Sequence, residues 1–221
     1  MIRRRHNHRR PSLVLIAGLA LVSGSCSTAY YSAWEMMGKE KRDLLRSNVE
    51  SVQKEQEQAA EQFEDALERL RTLYEVDGGE LEKTYDKFKG DYEDAEKRAD
   101  DERDRNHTID EVANDLIEEW EQEIDEISNA SYRSKSSEKL AETRTKYAEL
   151  EASLRRSEAS MDPVLTHLKD SVLFLKHNLN AAAIGGLGAE MEAIESDIEK
   201  LIGEMRASIE EADSFLQTMP E

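Results

Sequence analysis

Apolar and small residues recur along most of this chain in a 4,3 rhythm. Between Ser32 and Tyr74, Leu45, Val49, Val52, Ala59, Phe63, Ala66, Leu70 and Leu73 fall on one such repeat, interrupted only at Gln56. A mean spacing of 3.5 residues lays a narrow apolar stripe along a helix that packs against a neighbour, the pattern of coiled coils. The stretch has no proline and one glycine, Gly38, so it predicts a single helix of about 65 Å at 1.5 Å per residue. Asp77, Gly78 and Gly79 then predict a reversal, because glycine accepts the left-handed conformation that ends helices.

A second run carries Leu81, Tyr85, Phe88, Tyr92, Ala95 and Ala99. Its frame resumes at Ile109, Ala113, Leu116, Trp120 and Ile127 after a polar stretch around Asp100 to Asn106. Thr108 with Glu111 matches a capping box and would start a new helix there. The preserved frame favours one long helix instead, since a loop has no reason to keep register. Ser128 to Ser137, rich in Ser and Asn, reads as the second turn. A third helix has its seam at Leu140, Tyr147, Leu150, Leu154 and Met161, shifts by one residue at Asp162 and Pro163, and continues through Leu165, Leu168, Val172, Leu175 and Leu179. Asp162 can cap and Pro163 suits a first helical turn, so a break or sharp kink is expected there. Asn180, Gly185, Gly186 and Gly188 soften the next junction. A last helix carries Leu187, Met191, Ile194, Ile198, Leu201, Met205, Ile209, Ala212 and Leu216 and stops at Pro220.

The predicted fold is therefore all-α: an elongated antiparallel coiled coil or helical bundle of three to four long helices, joined by short turns. Aromatic residues make up 6% of the chain and no run alternates like a strand, which leaves no basis for a sheet. Each stripe is too narrow to surround a globular catalytic domain.

Charge narrows the choice of partners. The chain has 221 residues, 49 acidic and 30 basic side chains, and a formal charge of −19. Five of the basic ones (Arg3, Arg4, Arg5, Arg9 and Arg10) lie within the first 25 residues, where there is no acid, so the remainder sets 25 basic against 49 acidic groups and carries −24. Such a surface argues against nucleic acid, whose phosphates need clustered Lys and Arg, and against direct adsorption to anionic lipid.

Residues 1–25 read as an export signal, with a basic start, the apolar run Leu13 to Val22, and the small residues Ser23, Gly24 and Ser25. About ten apolar residues are too few for the roughly 20 that a spanning helix needs. Cys26, the single cysteine, excludes an internal disulfide and a cysteine-cluster metal site. Its place behind Gly24 and Ser25 resembles the lipobox of bacterial lipoproteins and implies lipidation at Cys26. Ser23 stands where that pattern usually has Leu, and the alternative is an ordinary signal cut after Ala29. Several acyl chains at about 0.8 kcal/mol per buried methylene would make a permanent tether. Ser27 after the cysteine resembles the pattern sorted to the outer membrane. The expected organisation is thus 1–25 signal, 26–31 short membrane tether, and 32–221 helical domain. Tyr30, Tyr31 and Trp34 lie where rings would sit at a bilayer interface or pack on the end of the bundle.

Tyr30-Tyr31-Ser32-Ala33-Trp34-Glu35, Lys41-Arg42-Asp43, Asp77-Gly78-Gly79 and Leu175-Lys176-His177-Asn178-Leu179-Asn180-Ala181 together resemble the DUF2959 family of bacterial envelope proteins, over nearly all of the chain behind the signal. The resemblance implies a helical fold and an envelope address. It carries over no catalytic residue.

The most unusual polar cluster is His177, Asn178 and Asn180 beside Lys176, in the seam between Leu175 and Leu179. A proton-linked switch or metal ligand at His177 weighs less than a role in fixing register or capping the helix junction. A di-iron centre needs Glu-x-x-His pairs, and no histidine has a glutamate three residues before it. His107 and Glu111, four apart, fit a solvated surface. His167 and His177, ten apart, lie about 280° apart around a helix and do not converge. Acidic runs such as Glu118 to Glu126 read as a solvated face. Nucleophile elbows and phosphate loops are missing from the sequence. No metal, cofactor or catalytic residue is expected, and the chain reads as a non-enzymatic envelope lipoprotein on the periplasmic side, a helical spacer or protein-interaction scaffold. Its expected partners are the membrane, through the lipid, and a protein docked on the helix faces; a second copy would also fill an open seam. The alternatives are a holdase-like periplasmic chaperone, against which the acidity weighs, or an acidic binder of cations or polycations.

Overall fold

In a computed structural model, residues 41–75, 79–179 and 188–219 are described, all within the unit Lys39–Glu221. Cys26 and the signal, the turn at Asp77 and Gly78, Asn180 with the junction at Gly185 and Gly186, and the stop at Pro220 lie outside them.

Four helices follow in order: α1 (Lys41–Glu75), α2 (Gly79–Glu126), α3 (Ala130–His177) and α4 (Gly188–Thr218). There is no strand among the described residues, and the fold is an all-α antiparallel bundle. The helices close a ring in which α1 packs on α2, α2 on α3, α3 on α4 and α4 back on α1. Cross-helix bonds fix the directions, because numbers fall on one partner as they rise on the other. Lys41 pairs with Glu119 and Arg69 with Asp91; Arg103 with Asp162 and Arg144 with Glu121; Arg156 with Glu204 and His167 with Asp197. Between α1 and α4, Arg71 meets Glu195 while the Arg46 guanidinium donates to the carbonyl of Met219.

The heptad stripes form the core. Leu45, Val49, Val52, Ala59, Phe63, Ala66, Leu70 and Leu73 of α1 are all buried, as are Phe88, Ala95, Ile109, Leu150, Leu168, Ile198 and Met205 from the other helices. Only Tyr85, Leu116, Trp120, Ile127, Leu165, Leu179, Met191, Ile209 and Leu216 among the described seam positions are partly exposed. A fully buried Phe or Leu side chain stabilises the fold by roughly 1.5–3 kcal/mol relative to exposure, so the inward stripes, rather than helix propensity, hold these helices together.

Three expectations are settled by local chemistry. Residues 79–126 form one uninterrupted helix of 48 residues, about 72 Å long; the Thr108 hydroxyl donates to the carbonyl of Asp104 within it instead of capping a new start. The second turn is shorter than the Ser-rich composition predicts, with α3 starting at Ala130. Asn129 caps it, its Oδ1 accepting from the backbone N–H of Ser131 at 2.9 Å and of Tyr132 at 3.1 Å, and Arg133 donates to the carbonyl of Ile127. The predicted break at Asp162 and Pro163 is absent, and α3 runs through Pro163 to His177. Pro163 is exposed, so the carbonyl that loses its helical partner faces the side where water replaces it, and Asp162, instead of capping, binds Arg103 at 2.7 Å.

Unequal lengths leave one feature outside the ring. Past Glu119 on α2 and Tyr147 on α3, whose ring meets Phe215 near the end of α4 at 5.9 Å, only α2 and α3 continue among the described residues. This hairpin is held by Ile124, Leu140 and Thr143, all buried, by Trp120 donating to Ser136 at 2.8 Å and by the Arg144–Glu121 pair at 2.6 Å.

Phe63→Ala should lower unfolding free energy by about 3–5 kcal/mol. Asn129→Ala, which removes a cap at a solvent-exposed tip, should cost about 1 kcal/mol, and urea denaturation of the two variants measures the contrast.

Candidate functional site: a polar layer across the core

Four fully buried polar side chains meet at one height, one from each helix: Gln56 of α1, Glu102 of α2, Ser157 of α3 and Ser208 of α4. Each occupies a seam position, the place where its helix would otherwise present an apolar residue. Gln56 is the hub. Its Nε2 donates to Glu102 Oε1 at 3.0 Å, lies 3.2 Å from Ser208 Oγ and lies 3.3 Å from Ser157 Oγ. The Ser157 hydroxyl donates to the same carboxyl oxygen, Glu102 Oε1, at 3.3 Å. One amide thereby joins all four helices.

This layer interrupts the apolar core. One contiguous apolar cluster draws on Ala59 to Leu73, Leu81 to Ala99, Met161 to Leu175 and Ile194 to Met205, and every one of these runs stops short of it. On the other side lie Leu44, Leu45, Val49, Val52, Ile109, Val112, Ala113, Leu150, Leu154, Ala212 and Phe215. Asn106 and Ser153, one turn further on α2 and α3, are also buried.

The carboxyl of Glu102 sits in an unusual electrostatic position. Burial pushes its pKa up, the hydrogen bonds from Gln56 and Ser157 pull it down, and Glu158 and Glu55 push it up again. The upward influences prevail, as they do when a charge is moved out of water without a cation to receive it. Several polar atoms here make no hydrogen bond among the described residues: Gln56 Oε1, Glu102 Oε2, Asn106 Nδ2 and Oδ1, and Ser153 Oγ.

On the outer side of the α1–α2 contact, a cleft of about 460 Å³ is lined by Glu55, Gln58, Arg98, Asp101, Asp104, Arg105 and Thr108. Arg105 spans it to both oxygens of Glu55 at 2.9 and 3.3 Å, and Arg98 donates to Gln58. Three acids and two arginines line it, and both arginines are engaged by side chains of α1.

The sequence-predicted residues are scattered by comparison. His177 is the exposed last residue of α3, and Asn178 follows as its C-cap. The Asn178 N–H donates to the carbonyl of Leu175 at 3.2 Å and its side chain to that of Phe174 at 2.9 Å. His107 lies 3.7 Å from Glu111 on the surface of α2, and His167 faces Asp197 across the α3–α4 contact at 3.2 Å. Among the described residues no three His, Cys, Asp or Glu side chains gather as a metal site, and no helix is long and apolar enough to cross a membrane.

Glu102, Ser157 and Ser208 escape a reading that follows apolar residues alone. A signal exists nevertheless. Continuing each 4,3 frame through its polar interruption puts Glu102 and Asn106 between Ala99 and Ile109, Ser157 between Leu154 and Met161, and Ser208 between Met205 and Ala212.

Gln56→Leu should destabilise the bundle by about 1–3 kcal/mol, because it strips Glu102 of its principal donor and leaves a buried acceptor unpaired. Gln56→Leu with Glu102→Leu should recover most of that loss, as apolar replacement of a whole buried polar pair commonly does. A double-mutant cycle in urea measures the coupling.

Residues 30–219 match the family model described as "Protein of unknown function (DUF2959)". No curated protein and no solved structure matches the chain. With the match covering most of its length, the chain belongs to the DUF2959 family.

Proposed function

We propose that this chain is a non-enzymatic envelope lipoprotein whose helical bundle serves as a spacer and protein-interaction scaffold, anchored through Cys26. The observation that carries this reading is where the apolar stripes go. All four helices turn them inward onto one another, and the outer faces are left to charged side chains such as Glu61, Glu64, Lys87, Glu93 and Lys97. A rod closed by its own seams offers long polar helix faces to a partner.

The same observation weighs against a holdase. Gripping unfolded chains requires extended apolar surface, and the large hydrophobic side chains exposed among the described residues are Tyr132, Leu173 and Phe174, of which Tyr132 stands at the far end of α3. The basic and apolar segments ahead of Cys26 have the layout of an export signal, which supports an envelope address. In this reading residues 26–31 lead from the bilayer, and α1 begins at the end of the bundle from which the α2–α3 hairpin projects.

Cys26→Ser should shift the protein from the membrane to the soluble fraction and abolish incorporation of a labelled fatty acid. A membrane-bound Cys26→Ser protein with an uncut signal would rule out the lipid anchor. Affinity capture from membrane extracts should return one stoichiometric partner, whereas a broad set of unfolded clients would replace the scaffold by a chaperone.

A further inference from the structure

Two of the unpartnered oxygens at the polar layer belong to the two groups already joined by its shortest bond. Gln56 Nε2 donates to Glu102 Oε1 at 3.0 Å, and the remaining oxygens, Gln56 Oε1 and Glu102 Oε2, are both buried acceptors with no donor among the described residues. An ionised carboxylate can only accept, so it can offer Gln56 Oε1 no donor, and a buried acceptor left without one is destabilising. One proton on Glu102 Oε2 would convert that oxygen into a donor, and Gln56 Oε1, on the amide already bonded to the same carboxyl, is a buried acceptor that could receive it in a reciprocal pair. Turning the Gln56 amide over would set its oxygen against Glu102 Oε1, two acceptors face to face, and would again call for a proton.

We propose that Glu102 carries its proton at neutral pH as the acid half of a reciprocal pair with Gln56, and that loss of this proton loosens the bundle at its polar layer. The charges acting on the carboxyl from neighbouring helices are negative, and on α2 the neutral amide of Asn106, one turn on, is buried without a partner among the described residues. From α1 come the neutral Gln56 and the negative Glu55, the latter already engaged by Arg105 of α2 at 2.9 Å. From α3 come the Ser157 hydroxyl and the negative Glu158. From α4 comes the Ser208 hydroxyl, 3.2 Å from Gln56 Nε2, while Glu204, one turn away, is paired with Arg156 at 3.4 Å. On α2 itself Arg103 is held by Asp100 and Asp162, and Arg98 by Gln58.

The direction of the pH effect follows from linkage. A carboxyl that holds its proton more firmly in the folded than in the unfolded chain contributes stability that is complete below the ordinary carboxyl value of 4.5. That contribution is lost as pH rises through the higher folded value. The remaining acids obscure this in a single melting curve, so the measurement is a difference between proteins. Glu102→Gln supplies a permanent neutral donor in place of the proton and can form the same reciprocal pair.

The full-length protein and its Glu102→Gln variant should melt at similar temperatures near pH 4, and the variant should melt progressively higher as pH rises to neutrality and above. Side-chain carboxyl ¹³C NMR of the unmutated protein tests the protonation state independently of how the variant folds, and the Glu102 signal should stand at the position of the acid form at neutral pH. A carboxylate signal for Glu102 at neutral pH would overturn the proposal. So would a melting difference that stays constant with pH, because a water-bridged or otherwise solvated carboxylate would give both.

Discussion

A polar side chain moved from water into the middle of a helical bundle costs several kilocalories per mole unless hydrogen-bonding partners meet it there. Gln56, Glu102, Ser157 and Ser208 meet that condition only when all four helices hold one register. Sliding α1 by one heptad would bring Phe63 or Val49 to the height of Glu102, burying its carboxyl against an apolar wall and leaving Gln56 among side chains that cannot receive its N–H groups. Apolar layers discriminate much less, since leucine tolerates leucine, isoleucine or methionine opposite it. A regular heptad stripe alone would allow several staggered packings of similar energy. The polar layer removes that degeneracy at some expense in core stability, the same use to which a single buried asparagine is put in coiled coils.

Register at the layer propagates to the rest of the molecule through rigid helices. With α1 and α2 fixed at Gln56 and Glu102, Lys41 reaches Glu119 and Arg69 reaches Asp91; with α2 and α3 fixed at Glu102 and Ser157, Asp110 receives both the Tyr147 hydroxyl at 2.6 Å and Arg155 at 3.0 Å. The Tyr147 phenol is thereby locked as a donor, its pKa pushed far up by burial and then by its bond to Asp110. Most of the ion pairs around these contacts involve exposed side chains and are worth about 0–1 kcal/mol each. They record the alignment more than they create it. Because α2 and α3 are longer than the other two helices, the same alignment also decides that the surplus emerges at one end, as the Trp120–Leu140 hairpin.

The apolar stripes were legible because a helix writes its buried face into the sequence every three or four residues, and most of the seam from Leu45 to Ala212 lies inside the bundle. Continuity of α2 was legible for the same reason: the frame survives the polar stretch from Asp100 to Asn106. Where local chemistry and long-range packing compete, composition misled. Ser131 to Ser137 look like loop residues, yet the Asn129 cap and the long seam beyond them extend the helix to Ala130. Pro163 looks like a breaker, yet on an exposed face the lost hydrogen bond is left to water and packing on both sides keeps α3 whole. The polar layer was half legible. Gln56 stood out alone, but its meaning depends on three residues up to 152 positions away, and no pattern within one helix announces that four interruptions share a height.

Why the layer contains an acid is a separate question from why it is polar. If register were the sole requirement, glutamine at position 102 would satisfy Gln56 at every pH, with two donors and an acceptor of its own and no charge to exclude. Glutamate satisfies the layer only while it carries a proton, and its surroundings, with Glu55 and Glu158 as the charges acting on it from neighbouring helices, raise the cost of losing it. An amide would make the centre of the bundle indifferent to pH. The carboxyl makes the same hydrogen bonds conditional, at the one height where all four helices depend on them. A change of a single proton is small on a surface that carries tens of acidic groups, but in a buried layer it acts where water and salt do not screen it. The stability of the joint between the two apolar halves therefore varies with a quantity that the outer charged faces, already solvated, register only weakly.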